Sequence, residues 1–338
     1  MQSESEKKVT KRKDWVDALR ALAMFFVILG HLLKGKTGYF VFTSPIKLPL
    51  FFMITGYVFN YRRTEPKAFL YNLFHKVVVP WLCLTVPFVF LKAPVKGLDC
   101  IPTGIFKILS GAVAWYMVCL IIAEIIWFYV FKIGKTPFRI SCLTIIIGVI
   151  GIVAGKYHVL DFAMINVAMT AQIYLLLGFL FKNYEDTIQL FGWETLIPLA
   201  FLYLAMGYVS LKIWPHSCID IHLNYYYNYP YCFSMIFLGC LTVFASAKRL
   251  HDYYHIAVPG IIRFLGQNTM VFYLLHGYNT YVVTCALRFL DVELPEVVLV
   301  ILKLGFAYVG CGIETRLILR FFPWMLGRKR VKHTQLSQ

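Results

Sequence analysis

Ten apolar runs of roughly helix-spanning length follow one another along this chain, separated by short polar stretches. A hydrocarbon layer about 30 Å thick takes about 20 apolar residues per helix, so each run is read as a membrane crossing. They fall at residues 16–34, 47–61, 76–95, 112–131, 140–157, 160–181, 190–213, 229–247, 267–290 and 296–319. The expected fold is therefore an all-α integral membrane protein with about ten transmembrane helices. Only 15% of the residues are charged, against about 25% in soluble domains. An even number of crossings places both termini on one side.

The charges fix that side. Of 33 Lys and Arg, 22 fall on the side of the termini, in "KKVTKRK", "RRTEPK", Lys76, "KIGKTPFR", Lys182, "KRL", Arg263 and the tail to "GRKRVK". Nine fall on the opposite side, and Arg20 and Lys303 lie within spans. Basic residues accumulate in cytoplasmic loops, so both termini are expected in the cytoplasm of a multi-pass protein of the cell membrane. The net charge of +16 follows topology rather than one patch, which argues against a nucleic-acid partner. No small-residue cleavage site follows the first run, which reads as a retained anchor. Residues 1–13 and 321–338 read as basic cytoplasmic tails around a membrane domain at 14–320.

Within the first run, Arg20 and His31 stand eleven residues apart. Eleven residues make three helical turns plus about 20°, so both project from one face, about 16 Å apart along the axis. Asp17 lies about 60° round the same side. Ionisable groups inside a bilayer are costly and face a cavity or a partner. Asp17 and Arg20 can pair locally, with Arg20 snorkelling to the interface. His31, toward the outer end, is either an interface residue or a general base, because an imidazole titrates near neutral pH. Glu124, His276 and Lys303 are the other intramembrane candidates, Glu124 and His276 as hydrogen-bonding supports.

The outer segment "WPHSCIDIHLNYYYNYP", residues 214–230, is rich in tyrosine. It reads as a platform on which sugar rings stack or as an aromatic interface belt. His216, Asp220 and His222 offer a thin metal set with no fourth ligand, and no metal is expected. The nine cysteines show no metal-ligand spacing; Cys100 and Cys218, both in outer segments, are left as unpaired thiols or one pair.

Several segments resemble, in order, the signatures of the membrane acyltransferase family 3. "WVDALRALAMFFVILGH" resembles the first-helix motif, an Arg and a His separated by ten residues. "LPLFFMITGYVFNYRR" resembles the second-helix motif, with Pro49, Phe52 and Gly56 in place. "AWYMVCLIIAE" and "FLGQNTMVFYLLHG" resemble the Trp-containing middle segment and the late Asn–Tyr–His segment. "LNYYYNYPYCFSMIFLG" is similar to the subgroup related to sugar 4-O-acetylases. Thr55 stands where Ser is usual, and His75 and Lys76 replace an Arg-rich cluster. No appended hydrolase-like domain is expected.

The resemblance implies transfer of an acyl group, usually acetyl, from cytoplasmic acyl-CoA to a hydroxyl of an extracytoplasmic or lipid-linked glycan. Acetyl-CoA would be a co-substrate rather than a bound cofactor, with membrane lipids as surroundings. His31 would then be catalytic, with Arg20 and Asp17 as its supporting stripe. Arg62, Arg63 and Lys76 would meet the donor phosphates. Trp115, Glu124, Tyr227, Asn268 and His276 would serve the acceptor or support the site. The competing reading is a secondary transporter or flippase of glycan precursors, which ten spans with buried charges would also suit; no repeat between the two halves supports it.

Overall fold

The computed structural model describes residues 13–33, 36–59, 65–189, 192–214 and 218–328, the side chains of 91–96 and 188–189 excepted. It is helical apart from one two-residue hairpin. In chain order the helices are α1 (Asp14–Leu32), α2 (Thr37–Val58), α3 (Pro66–Leu73), α4 (Val79–Lys96), α5 (Cys100–Leu109), α6 (Trp115–Gly134), α7 (Pro137–Lys156), α8 (Ile165–Thr170), α9 (Gln172–Asn183), α10 (Glu185–Gln189), α11 (Trp193–Ile213), α12 (Tyr229–Asp252), α13 (Gly260–Gln267), α14 (Thr269–Phe289) and α15 (Glu296–Phe321). A π-helical turn, Phe74–Val78, joins α3 to α4. Among the described residues nine helices or helix pairs are long and apolar enough to cross a membrane. The tenth expected crossing exists as α14, 21 residues long, but it is more polar than the other nine.

The most buried elements are α1, α2 and the α8–α9 span. Helices α2 and α9 meet backbone to backbone. A Cβ at Gly56 would overlap the carbonyl oxygen of Leu175, and one at Gly178 that of Met53. Small residues allow this approach where lipid offers no hydrophobic drive between helices. Helix α2 also contains Pro45 and Pro49. Pro49 has no N–H for the Pro45 carbonyl one turn back; the Cys240 thiol of α12 donates to that oxygen at 3.5 Å instead.

Polar contacts tie each end of the bundle together. At one end Glu185 accepts from Lys248 at 2.6 Å, from Tyr57 at 3.1 Å and from Lys13 at 3.4 Å. Lys248 also pairs with Asp252, and Arg263 with Asp14 at 3.4 Å. At the other end Lys36 pairs with Glu296 at 3.0 Å. The start of α1 and the ends of α2 and α12 thus share one face, which is the termini side of the charge analysis. Beyond α15, Pro323–Leu326 form a 3-10 turn, so the segment read as a tail is partly packed: Gly327 lies against the His75 carbonyl, and Arg328 donates to the Asn268 Oδ1 at 3.0 Å.

Burial disfavours ionisation of Glu185, but the hydrogen bond and charge of Lys248, with the charge of Lys13, outweigh it and hold the carboxyl below its ordinary value. A carboxyl held low in the folded state adds stability that is present above the unfolded value near 4.3 and lost as pH falls through the folded one. In detergent, thermal stability should therefore fall as pH is lowered from about 5 toward 3, and Glu185→Gln should shrink that fall while lowering stability at pH 7. An identical pH dependence in the variant would assign the acid loss to other groups.

The hairpin pairs Ile219 with Tyr226 and Asp220 with Tyr225. Cys218, just before it, is buried with its thiol against that of Cys232 and a hydrogen bond from Ser210 at 3.4 Å. Cys100 and Cys218 are both free thiols. The pairing left open above is therefore absent, because Cys218 faces α12 and α11 instead.

Candidate functional site

The stripe expected on α1 lines two cavities in succession. Arg20 and Met24 open on the first, of about 220 Å³, with Leu48, Phe51 and Thr55 of α2, Tyr116, Met117 and Leu120 of α6, and Thr269, Met270 and Tyr273 of α14. Val27, Gly30 and His31 open on the second, of about 470 Å³. Its walls are Phe40, Ser44, Lys47 and Leu48 of α2, Trp115, Tyr273, and the hairpin residues Ile219, Asp220, Ile221 and His222. Leu48 and Tyr273 line both.

Asp17 is fully buried. Its Oδ1 accepts from Arg20 at 3.0 Å and its Oδ2 from the Gln267 amide at 3.2 Å. The approach is close because Gly266 of α13 abuts the Asp17 carbonyl, where a Cβ would collide. A buried carboxylate needs such partners. The result is an Arg20 guanidinium fixed at the edge of the inner cavity, partly exposed at 25% of its side-chain surface.

His31 is exposed to the outer cavity, its ring 5.0 Å from that of His276. His276 is buried, with Nδ1 at 2.9 Å from the Phe272 carbonyl. That contact requires a proton on Nδ1, which leaves a neutral ring its lone pair on Nε2. Across the cavity the His222 ring lies 5.0 Å from Trp115, and the Lys47 ammonium sits 4.5 Å over the Phe40 ring. An imidazole, an ammonium, a carboxylate and aromatic faces thus converge on one space. That set can take a proton from a hydroxyl, hold polar substituents and stack a ring.

Other expected residues lie elsewhere. Glu124 is half-buried on the α6 face of Leu120, one turn beyond it and outside both cavity linings. Asn268 caps the junction of α13 and α14, donating to the Phe264 carbonyl at 2.7 Å, and its neighbour Thr269 lines the inner cavity. Lys76 is exposed in the π-helical turn at the termini end. Tyr227 is exposed against Trp214, 5.4 Å between rings, outside the cavity lining. Lys303 opens on a separate surface cavity with Arg288, Asp291 and Glu293. Arg62, Arg63 and His216 lie outside the described residues. Among the described residues no three His, Cys, Asp or Glu side chains gather as a metal site.

A family profile described as an acyltransferase domain, of acyltransferase family 3, matches residues 13–313. The chain belongs to that family. No curated protein and no solved structure matches it. The matched range runs from the residue before α1 to the middle of α15, and so contains every wall of both cavities. This acyltransferase therefore holds its whole candidate site inside the family domain. Lys47 and Leu48 carried no assigned role in the sequence, and Tyr273 entered only as the tyrosine of the late motif. The signal for Lys47 was there: a cation between two prolines in an apolar run is costly unless it faces a cavity.

Proposed function

We propose that the protein is a membrane O-acetyltransferase that moves an acetyl group from cytoplasmic acetyl-CoA to a hydroxyl of an extracytoplasmic or lipid-linked glycan. The observation that carries this reading is the pair of cavities in series along α1, with a fixed Arg20 on one and His31 on the other. A donor made on one side and an acceptor met on the other need such a line through the bilayer. The charge asymmetry supports a cytoplasmic position for both termini, and hence for the Arg20 end, in the cell membrane.

Here Arg20, with Lys76, Arg62 and Arg63, attracts the donor phosphates, and the thioester extends toward His31. Asp17 positions Arg20. His31 takes the proton of the acceptor hydroxyl as its oxygen attacks the thioester carbonyl. The C–S bond then breaks, and the CoA thiolate leaves and recovers a proton. His276, backing His31 ring to ring, helps hold the imidazole in place. Trp115 and Phe40 offer flat faces to a sugar, and Asp220 accepts from its hydroxyls. The sugar 4-O-acetylase likeness of the tyrosine-rich segment points to a glycan rather than a protein acceptor.

Acetyl-CoA labelled in the acetyl group, added to membranes that contain the protein, should yield label in the glycan fraction as an alkali-labile ester. Membranes carrying His31→Ala should not. Unlabelled glycan, with transport of a glycan precursor across the bilayer intact in the same membranes, would instead support the flippase reading.

A further inference from the structure

We propose that Tyr273 and Leu48 form a latched partition between the donor-side and acceptor-side cavities, which opens for acyl transfer and otherwise keeps water from the thioester. The inference rests on the transferase reading above for its chemistry, and on geometry for the partition itself. Leu48 and Tyr273 are the side chains common to both linings, so they stand between the two spaces. Everything else is sorted to one side: Arg20, Met24 and Thr55 to the inner, His31, Lys47 and Trp115 to the outer.

The latch is a single hydrogen bond. The Tyr273 hydroxyl accepts from the backbone N–H of Tyr116 at 3.3 Å. Tyr116 is the second residue of α6, entered through Ala114 in a left-handed conformation with φ of 52°. First-turn amides have no partner within their own helix. The hydroxyl therefore satisfies an amide that is otherwise unserved, which favours the closed position without welding it. Leu48 offers no such bond. It lies between Pro45 and Pro49, where α2 lacks the Pro49 amide and its ladder is interrupted. One wall is thus held by a bond that can be released, and the other stands on a weakened stretch of helix.

A partition of this kind has a chemical purpose. A thioester in contact with the acceptor-side space meets water as well as sugar hydroxyls. Water attack on the carbonyl breaks the same C–S bond and gives acetate, CoA thiol and no ester, so each such event wastes a donor. Tyr273 acts here as a positioning residue: it sets when the two spaces join, and the ratio of hydrolysis to transfer reports on it.

Two measurements on the full-length protein test this, the first in nanodiscs and the second in sealed vesicles. In the first, acetyl-CoA is supplied without glycan, and CoA thiol release is followed with a chromogenic disulfide. A neutral hydrogen bond shifts a two-state balance by about two- to tenfold. Tyr273→Phe, which keeps the ring and loses the latch, should therefore raise acceptor-independent hydrolysis by about that factor, and Leu48→Ala should raise it as well. In the second, Met24→Cys is placed on the inner cavity and treated with a charged, membrane-impermeant methanethiosulfonate from the His31 face in sealed vesicles, with the modified peptide read by mass. It should be unreactive alone and reactive once Tyr273→Phe is added. Equal hydrolysis and equal labelling with and without the Tyr273 hydroxyl would overturn the partition. Labelling that follows Tyr273→Phe in a protein that neither hydrolyses nor transfers from acetyl-CoA would keep the partition and overturn the transferase reading.

Discussion

Replacing His31 by alanine is expected to lower acyl transfer by about 10²–10⁴-fold, the ordinary range for loss of a general base, with the amount of protein in the membrane unchanged. The side chain opens on the outer cavity rather than into the packed core, so its removal leaves no void in the core. His31→Gln fills much of the same space and offers a polar tip, but cannot accept and release a proton near neutral pH, and should be equally inactive. Glycan ester content by mass and NMR, normalised to protein in the membrane, decides the matter. A loss of only twofold in either variant would remove His31 from the base's role and leave it as a lining residue.

The second large effect concerns the seam between α2 and α9. Gly178→Val places a branched side chain where even a single Cβ would overlap the Met53 carbonyl. Backbone cannot step aside as a flexible side chain can, so the helices must separate. Overpacking of this kind costs about 1–3 kcal/mol, and more where backbone has to move. Because α2 carries Ser44, Lys47, Leu48, Phe51 and Thr55 to the two cavities, the separation should abolish activity at temperatures where helix content is still retained. Gly305→Ala in α15, where nothing lies within 4 Å of an added Cβ, is the matched control. Its melting point in detergent should hold or rise, since alanine is the better helix former by about 1 kcal/mol. Equal melting of the two variants would show that the seam is looser than its geometry.

What sequence could reveal here is what local periodicity records. The number and order of crossings follow from runs of apolar residues, and the Arg20–His31 stripe from helical phase alone. The 22-to-9 charge bias predicts sidedness in the same local way. Trp115, His276 and Asn268 were reached through motif likeness, and two of them do border or back the site while Asn268 stands at its inner rim. Tyr273 was met only as the tyrosine of the late motif and given no role, because its contact with the Tyr116 amide of α6 is 157 residues away in the chain. Lys47 was counted as the first residue of a crossing, since a charge at the edge of an apolar run has an ordinary interfacial explanation. In the structure α2 begins ten residues earlier, at Thr37, and Lys47 lies in mid-helix. Asp220 and His222 were marked as unusual and set aside as a metal set; the hairpin brings both to the wall of the cavity that His31 and Trp115 also line.

The polarity of α14 bears on how the chain is made. A helix with Asn279 at its centre pays to enter lipid alone, because an amide has nothing there to bond to. Asn279 finds its acceptor in the next helix, at the Glu314 carboxylate 3.0 Å away, and a further contact with the Cys311 thiol. The two helices therefore satisfy each other as a hairpin, and α14 settles only once α15 has been synthesised. Tyr273 and His276 ride on α14, so the wall between the cavities and the ring behind His31 are the last parts of the site to reach their places during biogenesis. A chain released before residue 314 would hold its stripe on α1, with α2 and α6 opposite it but the α14 wall unset.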